Sequence, residues 1–365
     1  MSIVILLTVF IGVRLIVSTI NFLSFPFPPR RDTSAEIGDI SILIPARNEE
    51  ENIGRLLDAL VRFEEQPLEI LVYDDCSTDR TAETVLSYKS SRSTVGLIRG
   101  ETLPAGWLGK NHACRRLASL AKGNILLFLD ADVQIKEGVL QRTRAYFEKF
   151  SLDLLSIFPK QQLRSFGERL SVPLMNWILL SLLPLTLIRR SKNPVFAAAN
   201  GQFMMFRAQI YRSLQPHEIH KANQVEDIAI LRYYKKKGYS AATLLGDDTV
   251  QCRMYHDLGD AISGFGKNVF QFFGGSILVT VGFGLVTTLA PIYILWQAGF
   301  GLAYAYLAAV LLIRLFVSLT SRQNALANLV LLLPQHFVFL FIIIKAIKSH
   351  YQKELLWKER NILKV

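Results

Sequence analysis

The chain has 365 residues, of which 51% are hydrophobic and only 19% charged, a balance too apolar for an ordinary soluble enzyme of this length. Its formal net charge of +11 suits either a nucleic acid or an anionic membrane surface. The basic residues flank apolar stretches and no nucleic-acid-binding module is present, which favours the membrane and argues against nucleic acid as a partner. Cys76, Cys114 and Cys252 are far apart and odd in number, which argues against a zinc cluster and suits reduced cytoplasmic thiols.

The chain begins with an apolar run, residues 3–25, that is long enough to cross a bilayer. A cleaved signal peptide is the alternative, but the run lacks a basic start and a small-residue cleavage site. Its one charge, Arg14, is costly in lipid, so we expect it to face protein or to snorkel. Arg30 and Arg31 follow the run, so the positive-inside rule puts the next segment in the cytoplasm. We predict a transmembrane anchor over 1–25 and a cytoplasmic domain over 36–268.

The region from 40 to 165 alternates between short apolar strands and amphipathic helices. Strands are predicted over 40–46, 69–75, 95–100 and 125–133, and helices over 48–63, 77–90 and 112–123. Alternation of this kind, with strands that are apolar throughout, is typical of a parallel sheet covered by helices on both faces. The predicted fold class is therefore α/β.

Two further apolar regions follow. Residues 171–188 contain two prolines and have basic residues on both sides, which predicts a segment lying in the membrane interface; a buried core helix is the alternative. The C-terminal region 269–347 is almost continuously apolar and offers candidate spans at 276–297, 299–318 and 327–347. The basic tail 348–365 favours the cytoplasm, yet three crossings would leave it outside. Either one span is re-entrant or in-plane, or the tail is not cytoplasmic. The expected location is the cell membrane, with several spans.

Two carboxylates, Asp130 and Asp132, end the predicted strand 125–133. The carboxyl ends of strands in α/β folds form the crevice in which ligands bind. Mg²⁺ or Mn²⁺ prefers oxygen ligands and can bridge a carboxylate and a diphosphate, which predicts a metal and diphosphate site. The alternative is a helix-capping aspartate followed by a solvent-facing one.

Acidic residues also follow the first two strands of the predicted sheet. Asp74 and Asp75 end the strand 69–75, where a carboxylate can hydrogen-bond the ribose or base of a nucleoside. Pro45 and Glu49 belong to the turn after the first strand, at the same edge, and are predicted to line this nucleoside pocket. The alternatives are roles in starting the next helices, by capping or through the helix dipole.

Two more positions are candidates for chemistry. Lys110 lies in a predicted glycine-containing loop before a helix, where its charge can meet a phosphate; a solvated lysine is the alternative. Glu226 and Asp227 open an amphipathic helix, and a carboxylate there can act as the general base of a group transfer. The alternative is an acidic pair favoured by the helix dipole.

Seven segments in this order resemble glycosyltransferase family 2: SILIPARNEE, VYDDCSTD, GWLGKNHAC, LDADV, NGQFMMF, VEDIAI and RMY. The resemblance covers residues 40–268 and extends to the membrane tail. Within the family the sequence is most similar to the small membrane enzymes that glycosylate carotenoid acids or belong to hopanoid pathways.

The resemblance implies a GT-A fold and an inverting mechanism. It implies that Asp75 binds the nucleoside, that Asp132 with Asp130 holds the metal and the donor diphosphate, and that Asp227 is the base. Lys110 matches a lysine found near the donor phosphates. By the resemblance, Gln251 and Arg253, followed by Tyr255, stand roughly where processive relatives close a QxxRW segment over the donor.

Three positions depart from the family pattern. Cys76 replaces the usual glycine of DDGS, so we expect that turn to avoid positive φ. QCRMY differs from QxxRW, which argues against polymerisation. Glu359 stands where relatives often have glycine, so no role is assigned to that tail.

The resulting hypothesis is a membrane-embedded enzyme that transfers a sugar from a nucleotide-diphosphate donor, such as a UDP-sugar, to a lipid acceptor. A carotenoid acid or another isoprenoid is the expected acceptor, and Mg²⁺ or Mn²⁺ the expected cofactor. The alternatives are a processive polysaccharide synthase and a non-catalytic membrane protein that binds nucleotide sugars.

Overall fold

The structure is a computed structural model that describes residues 2–28, 35–352, 356–357 and 360–361. The flank at Arg30 and Arg31 lies outside the described residues, as does half of the predicted basic tail, including Glu359. The chain divides into two compact units. We call them the sheet unit, residues 26–160 and 185–253 with the terminal 356–365, and the helical unit, residues 1–25, 161–184 and 254–355. The predicted domain 36–268 is therefore shared between them, because 161–184 and 254–268 group with the helices.

The helices and strands are numbered in chain order. The helices are α1 (Ser2–Ser24), α2 (Ile53–Val61), α3 (Thr81–Ser91), α4 (Gly109–Leu120), α5 (Val139–Lys149), α6 (Phe166–Ser171), α7 (Pro173–Leu182), α8 (Leu185–Arg190), α9 (Ala208–Leu214), α10 (Pro216–Ile219), α11 (Glu226–Lys236), α12 (Leu258–Asn268), α13 (Ile277–Thr320), α14 (Ala325–Val330) and α15 (Leu332–Gln352), with a 3-10 turn at Gln271–Phe273. The strands are β1 (Ile40–Ala46), β2 (Glu69–Asp74), β3 (Val95–Arg99), β4 (Ile125–Leu129), β5 (Val133–Ile135), β6 (Leu154–Phe158), β7 (Lys160–Gln161), β8 (Phe203–Arg207), β9 (Ala241–Leu245), β10 (Val250–Cys252), β11 (Leu356–Trp357) and β12 (Arg360–Asn361).

A seven-stranded sheet forms the centre of the sheet unit, in the order β3-β2-β1-β4-β8-β6-β9. Strands β3, β2, β1 and β4 are parallel to one another, as the strand and helix alternation predicts. Strand β8 lies beyond the region 40–165 for which a parallel sheet is predicted, and it is antiparallel to β4 and β6. The alternating pattern ends near residue 165, so no strand-helix-strand crossover fixes the direction of the strand that follows.

The core of the sheet unit consists of strand residues that are apolar on both faces of the sheet. Ile42, Leu43 and Leu127 are each 0% exposed, and Leu57 of α2 covers one face. Successive side chains of a strand point to opposite faces, so runs such as ILLFL can persist only where both faces are covered.

Leu127→Ala is expected to destabilise the sheet unit by about 3 kcal/mol, because it removes a fully buried side chain from the central strand β4 and leaves a cavity. The measurement is thermal unfolding of the purified protein in detergent. Leu86→Ala is the control, since Leu86 of α3 is 39% exposed, and it should change the melting temperature little. Equal shifts for the two variants would contradict this placement of the core.

Three helices of the described chain are long and apolar enough to cross a membrane: α1, α13 and α15. The predicted spans 276–297 and 299–318 form one 44-residue element, α13, which is interrupted at Gly299 by a backbone with φ 74°. Thr287 and Ile313 line the same small pocket, so the two halves of α13 lie side by side and the chain reverses at Gly299. Each half has about 20 residues, the length that crosses one bilayer. The predicted span 327–347 is divided between α14 and α15.

Residues 171–188, predicted as one interfacial segment, form two separate helices, α7 and α8. Eight of the ten side chains of α7 are buried, and α7 packs against α1 and α13 within the helical unit. Asn21 of α1 donates hydrogen bonds to the carbonyls of Leu180 and Leu183, near the end of α7. This packing favours the alternative of a buried helix for residues 173–182.

Candidate active site

Polar side chains gather where the parallel strands of the sheet unit end. Strands β1, β2 and β4 run in the same direction, so the segments after Ala46, Asp74 and Leu129 meet at one edge of the sheet. These are the segments that carry the predicted donor and metal residues. The crevice at this edge is where open α/β folds bind ligands.

Asp74 and Asp75 lie at the end of β2 and are 6% and 4% exposed. Asp74 accepts a hydrogen bond from the backbone N–H of Ser77, and Asp75 lies 4.0 Å from the guanidinium of Arg47. The expectation that Cys76 would avoid positive φ is wrong, since its φ is 54°. The turn therefore keeps the left-handed conformation that glycine would favour, at the energetic cost that a side chain brings.

Of the two residues predicted for the turn after β1, Glu49 lies in that turn, whereas Pro45 lies within β1. Pro45 is paired with Tyr73 in the sheet, one residue before Asp74. The backbone N–H of Glu49 donates to Thr81, and the Glu49 carboxylate accepts from Asn52. These bonds fix the turn beside the start of α2, so Glu49 has a structural role in this turn in addition to any contact with a ligand.

Lys110 joins two acidic residues that are distant in sequence. Its Nζ donates to Asp130 at 2.8 Å and lies 3.7 Å from a carboxylate oxygen of Glu226. Burial acts to lower the pKa of Lys110, but the charges of Asp130 and Glu226 outweigh burial and raise it. The prediction that Lys110 lies in a loop is wrong: α4 begins at Gly109, and Lys110 belongs to its first turn. A residue on a helix holds its charge in a fixed position.

Asp132 lies two residues after Asp130 and faces Gln202 and Cys252. The amide of Gln202 donates to Asp132 at 3.3 Å, and the thiol of Cys252 donates to it at 3.3 Å. Burial, followed by the negative charges of Asp130 and Glu49, raises the pKa of Asp132 to about 6. A bound cation would relieve the repulsion between Asp132 and these neighbouring carboxylates.

Asp227 lies in the first turn of α11, as predicted from the helix pattern. Its carboxylate accepts hydrogen bonds from the backbone N–H groups of Gly201 at 2.9 Å and Ile228 at 2.7 Å. Burial raises the pKa of Asp227 despite these bonds, and burial likewise raises the pKa of its neighbour Glu226 to about 7. A half-buried, oriented carboxylate with a raised pKa has the properties of a general base.

Gln251 and Arg253 lie on or after β10, which pairs with β5 so that Cys252 is opposite Val133. Side chains alternate along a strand, so Cys252 faces Asp132 while Gln251 donates to Asp248. Arg253 directly follows the strand. The predicted donor roles of Gln251 and Arg253 stay predictions, since Cys252 is the residue of this segment that contacts Asp132.

Sequence reasoning missed three residues of the site: Gln202, Gly201 and Cys252. NGQF was recognised as a family segment but was given no role, although it is the segment that brings an amide to Asp132. The available signal was the alternation of side chains along the strand VQC, which places Cys252 and Gln251 on opposite faces.

Gly201→Ala is expected to lower activity by about tenfold, because the added Cβ displaces Lys110 and Glu226 slightly and a misplacement of about 1 Å can cost about 10²-fold. A Cβ at this position would lie 3.0 Å from the Nζ of Lys110 and 3.2 Å from Glu226, so both side chains must shift. Steady-state rates of sugar transfer are the measurement. The control is Gly238→Ala on the other end of α11, where no atom lies within 4 Å but φ is positive; it should lower stability without a specific loss of kcat. A fully active Gly201→Ala enzyme would contradict the close packing of this site.

Asp130 and Asp132 are the residues that fit a divalent cation. Within the described residues no group of three or more His, Cys, Asp or Glu side chains is arranged to hold a metal ion. Two carboxylates fit the chemistry of Mg²⁺ or Mn²⁺ in phosphate sites, where the protein supplies one or two carboxylates and the substrate phosphates complete the coordination.

Comparison with known proteins agrees with this architecture. Residues 41–215 match the family model described as glycosyl transferase family 2. The 4,4'-diaponeurosporenoate glycosyltransferase of Staphylococcus aureus (strain USA300) is 28% identical over 222 residues, which cover 60% of this chain and 57% of that protein. The protein of the same name from strain bovine RF122 is 34% identical over 134 residues, 36% of this chain and 34% of that one. The chain thus spans less than two thirds of the length of these curated relatives.

A solved structure extends the likeness to the whole chain. The mannosyltransferase PcManGT from Pyrobaculum calidifontis, in complex with GDP-Man and Mn²⁺, is 17% identical, has a TM-score of 0.58, and covers 97% of this chain and 99% of that one. At this identity the likeness concerns the fold. The predicted fold class, an α/β GT-A domain with apolar helices at both ends, is confirmed.

Proposed function

We propose that the protein is an inverting glycosyltransferase that moves a sugar from a nucleotide-diphosphate donor to a lipid acceptor at a membrane. The observation that carries the proposal is the arrangement around Lys110. This lysine links Asp130 of the paired carboxylates to Glu226, whose neighbour Asp227 is a half-buried carboxylate held by two backbone N–H groups. The groups proposed to bind the donor and to accept the proton therefore belong to one cluster of contacting residues.

In the proposed mechanism Asp75 and the turn at Glu49 bind the nucleoside, and Asp130 and Asp132 would hold a divalent cation. That cation, when bound, neutralises the diphosphate that leaves. Lys110 keeps Asp130 in position and adds a positive charge near the phosphates. The hydroxyl oxygen of the acceptor attacks the sugar carbon from the face opposite the leaving group, which inverts the configuration at that carbon. Asp227 accepts the proton of this hydroxyl.

The nature of the acceptor bears on the role of Asp227. The relatives from Staphylococcus aureus are named for an acceptor that is a carboxylic acid, 4,4'-diaponeurosporenoate. An acid of this kind is already ionised near neutral pH and needs no base to become a nucleophile. A hydroxyl acceptor needs one. The dependence of the reaction on Asp227 therefore distinguishes these two acceptor classes.

The three long apolar helices support a location in a membrane. We place the sheet unit in the cytoplasm of a multi-pass cell-membrane protein, because nucleotide sugars are cytoplasmic and basic residues follow α1 in the sequence. An isoprenoid-derived acceptor dissolved in the membrane would then meet the donor at the membrane surface.

The proposal is tested with purified protein in detergent, radiolabelled UDP-glucose or GDP-mannose, Mg²⁺ or Mn²⁺, and a lipid extract. The expected result is metal-dependent transfer of label into the organic phase, from one donor in preference to the other. Long water-soluble polymer would support a polysaccharide synthase instead. Tight binding of a nucleotide sugar with no turnover on any acceptor would support a non-catalytic binding protein. Either outcome would overturn the proposal.

A further inference from the structure

Two arginines are buried in the helical unit, on helices that are apolar enough to cross a membrane. Arg14 of α1 is 3% exposed, and Arg314 in the second half of α13 is 1% exposed. The Cζ atom of each lies 4.8 Å from the centre of the Trp177 ring of α7. The two cations are therefore near neighbours that share one aromatic partner, and they repel each other in surroundings of low dielectric constant.

No acidic side chain neutralises them in the described part of the helical unit. The acidic residues of that part are Glu168, Asp257 and Asp260. Each accepts hydrogen bonds from backbone N–H groups close to it in sequence, near the start of its own helix. The ion pairs formed by described residues include neither Arg14 nor Arg314.

The existing contacts satisfy the two guanidinium groups only in part. Arg14 donates to the hydroxyl of Ser181 from two of its nitrogens, at 2.9 and 3.3 Å, and also lies 5.1 Å from the Phe283 ring centre. All three guanidinium nitrogens of Arg314 are buried without a hydrogen-bond partner among the described residues. Cation–π contact offsets some of the cost of burial, but a buried guanidinium normally also has an anionic partner.

A small pocket adjoins this pair. Arg14, Trp177, Thr287, Tyr306 and His336 supply its polar and aromatic lining, and aliphatic side chains complete it. Its cavity volume is about 10 Å³, which is room for about one water-sized group. A single spherical anion or one carboxylate oxygen is closer to this size than a phosphate with its four oxygens.

We propose that this pocket is an anion site that takes one compact monoanion, either a halide or the carboxylate end of an apolar chain, which offsets one of the two positive charges of Arg14 and Arg314. The anion contacts Arg14 directly and Arg314 through its field. Its binding holds α1, α7 and α13 together in the helical unit. The site is separate in sequence from every donor and metal residue described above, so it stands independently of the proposed activity.

The first test measures thermal unfolding of the full chain, purified in a non-ionic detergent, in sodium salts at equal ionic strength. Gluconate, which is too large for the pocket, is the reference, and chloride, bromide and octanoate are the trial anions. Relative to gluconate, either the two halides or octanoate should raise the melting temperature by about 5 °C, and the rise should saturate with concentration. The salt that acts identifies the source of the anion. Equal melting temperatures in all four salts would overturn the proposal.

Substitutions of the two buried arginines test whether the anions raise the melting temperature by binding at this pocket. Arg14→Gln and Arg314→Gln should lose the anion-dependent shift. Arg169→Gln is the matched control, since Arg169 is an exposed arginine of α6 in the same unit, and it should keep the shift. A shift that persists in both buried-site variants would show that the anions act elsewhere and would contradict the site.

A second measurement does not require that those variants fold. Trp177 becomes the sole tryptophan in a chain with Trp107→Phe, Trp296→Phe and Trp357→Phe. Bromide, a heavy-atom quencher, should quench Trp177 fluorescence with a saturable dependence that chloride shifts to higher bromide concentration by competition. A purely linear, collisional dependence that chloride leaves unchanged would overturn the proposal.

Discussion

Asp132→Asn is expected to lower the rate of sugar transfer by about 10³-fold, the size expected when a metal that stabilises a leaving diphosphate loses a ligand. Asp132 is half-buried, feels the charges of Asp130 and Glu49, and has a carboxylate that Gln202 and Cys252 orient. The substitution keeps the shape of the side chain and removes its charge. The measurement is the initial rate over a range of Mn²⁺ concentrations, and the midpoint should move to higher Mn²⁺.

The control for this variant is Asp39→Asn. Asp39 directly precedes β1, at the opposite end of the strand from the site, and its carboxylate pairs with Arg144 at 3.3 Å. It should leave both the rate and the Mn²⁺ midpoint unchanged. If Asp132→Asn retained the rate and the metal dependence of the unmodified protein, the metal would have to be bound elsewhere.

Asp227→Asn is expected to lower kcat by about 10³-fold with little change in the KM for the donor, because general bases contribute about 10²- to 10⁴-fold and do not bind the donor. An asparagine can still accept the hydrogen bond from the N–H of Gly201, so the fold of the segment should persist. The rate is measured with a hydroxyl-bearing lipid acceptor and with a carboxylic acid acceptor. A large loss with the first and a small loss with the second would assign Asp227 to proton transfer.

The control for Asp227→Asn is Glu218→Gln, which removes an exposed carboxylate that pairs with Arg115. It should leave kcat unchanged. A normal kcat for Asp227→Asn with a hydroxyl acceptor would show that another group accepts the proton.

The raised pKa of Asp227 fixes the direction of the pH dependence. Burial raises its pKa above the ordinary range of aspartic acid, so the ionised, proton-accepting form is lost as the pH falls through this raised value. The acid limb of the kcat profile should therefore lie above pH 4, the range of an unperturbed aspartate. This limb should be absent from the residual activity of Asp227→Asn. A limb at the same pH in both proteins would belong to a different group.

The site residues that could be predicted from the sequence lie next to segments with a clear strand or helix pattern. The apolar run ILLFL places Asp130 and Asp132 after β4, and the helix pattern places Asp227 in the first turn of α11. The contact of Lys110 with Glu226 joins residues more than 100 positions apart, and no local pattern indicates such a contact. The start of α4 was missed because no side chain caps it, so the sequence carries no capping signal there.

Cys76 shows the limit of residue preference as a guide. Glycine is the residue that usually takes positive φ, so a cysteine predicts a different turn. The backbone N–H of Cys76 instead donates to Asp74, and its neighbour Asp75 donates to the carbonyl of Ala46. These backbone bonds at the ends of two strands stabilise the turn, and they outweigh the cost of a positive φ at a cysteine.

The reversal of α13 at Gly299 has a consequence for how the protein enters a membrane. The halves on either side of Gly299 are joined without a polar loop, and the nearest charged residue along the chain is Arg314. The positive-inside rule acts on charged loops, so it offers no signal for either half separately. We expect the two halves to insert together, as a preformed pair during synthesis, and lengthening the connection at Gly299 with charged residues should split them into independently oriented segments.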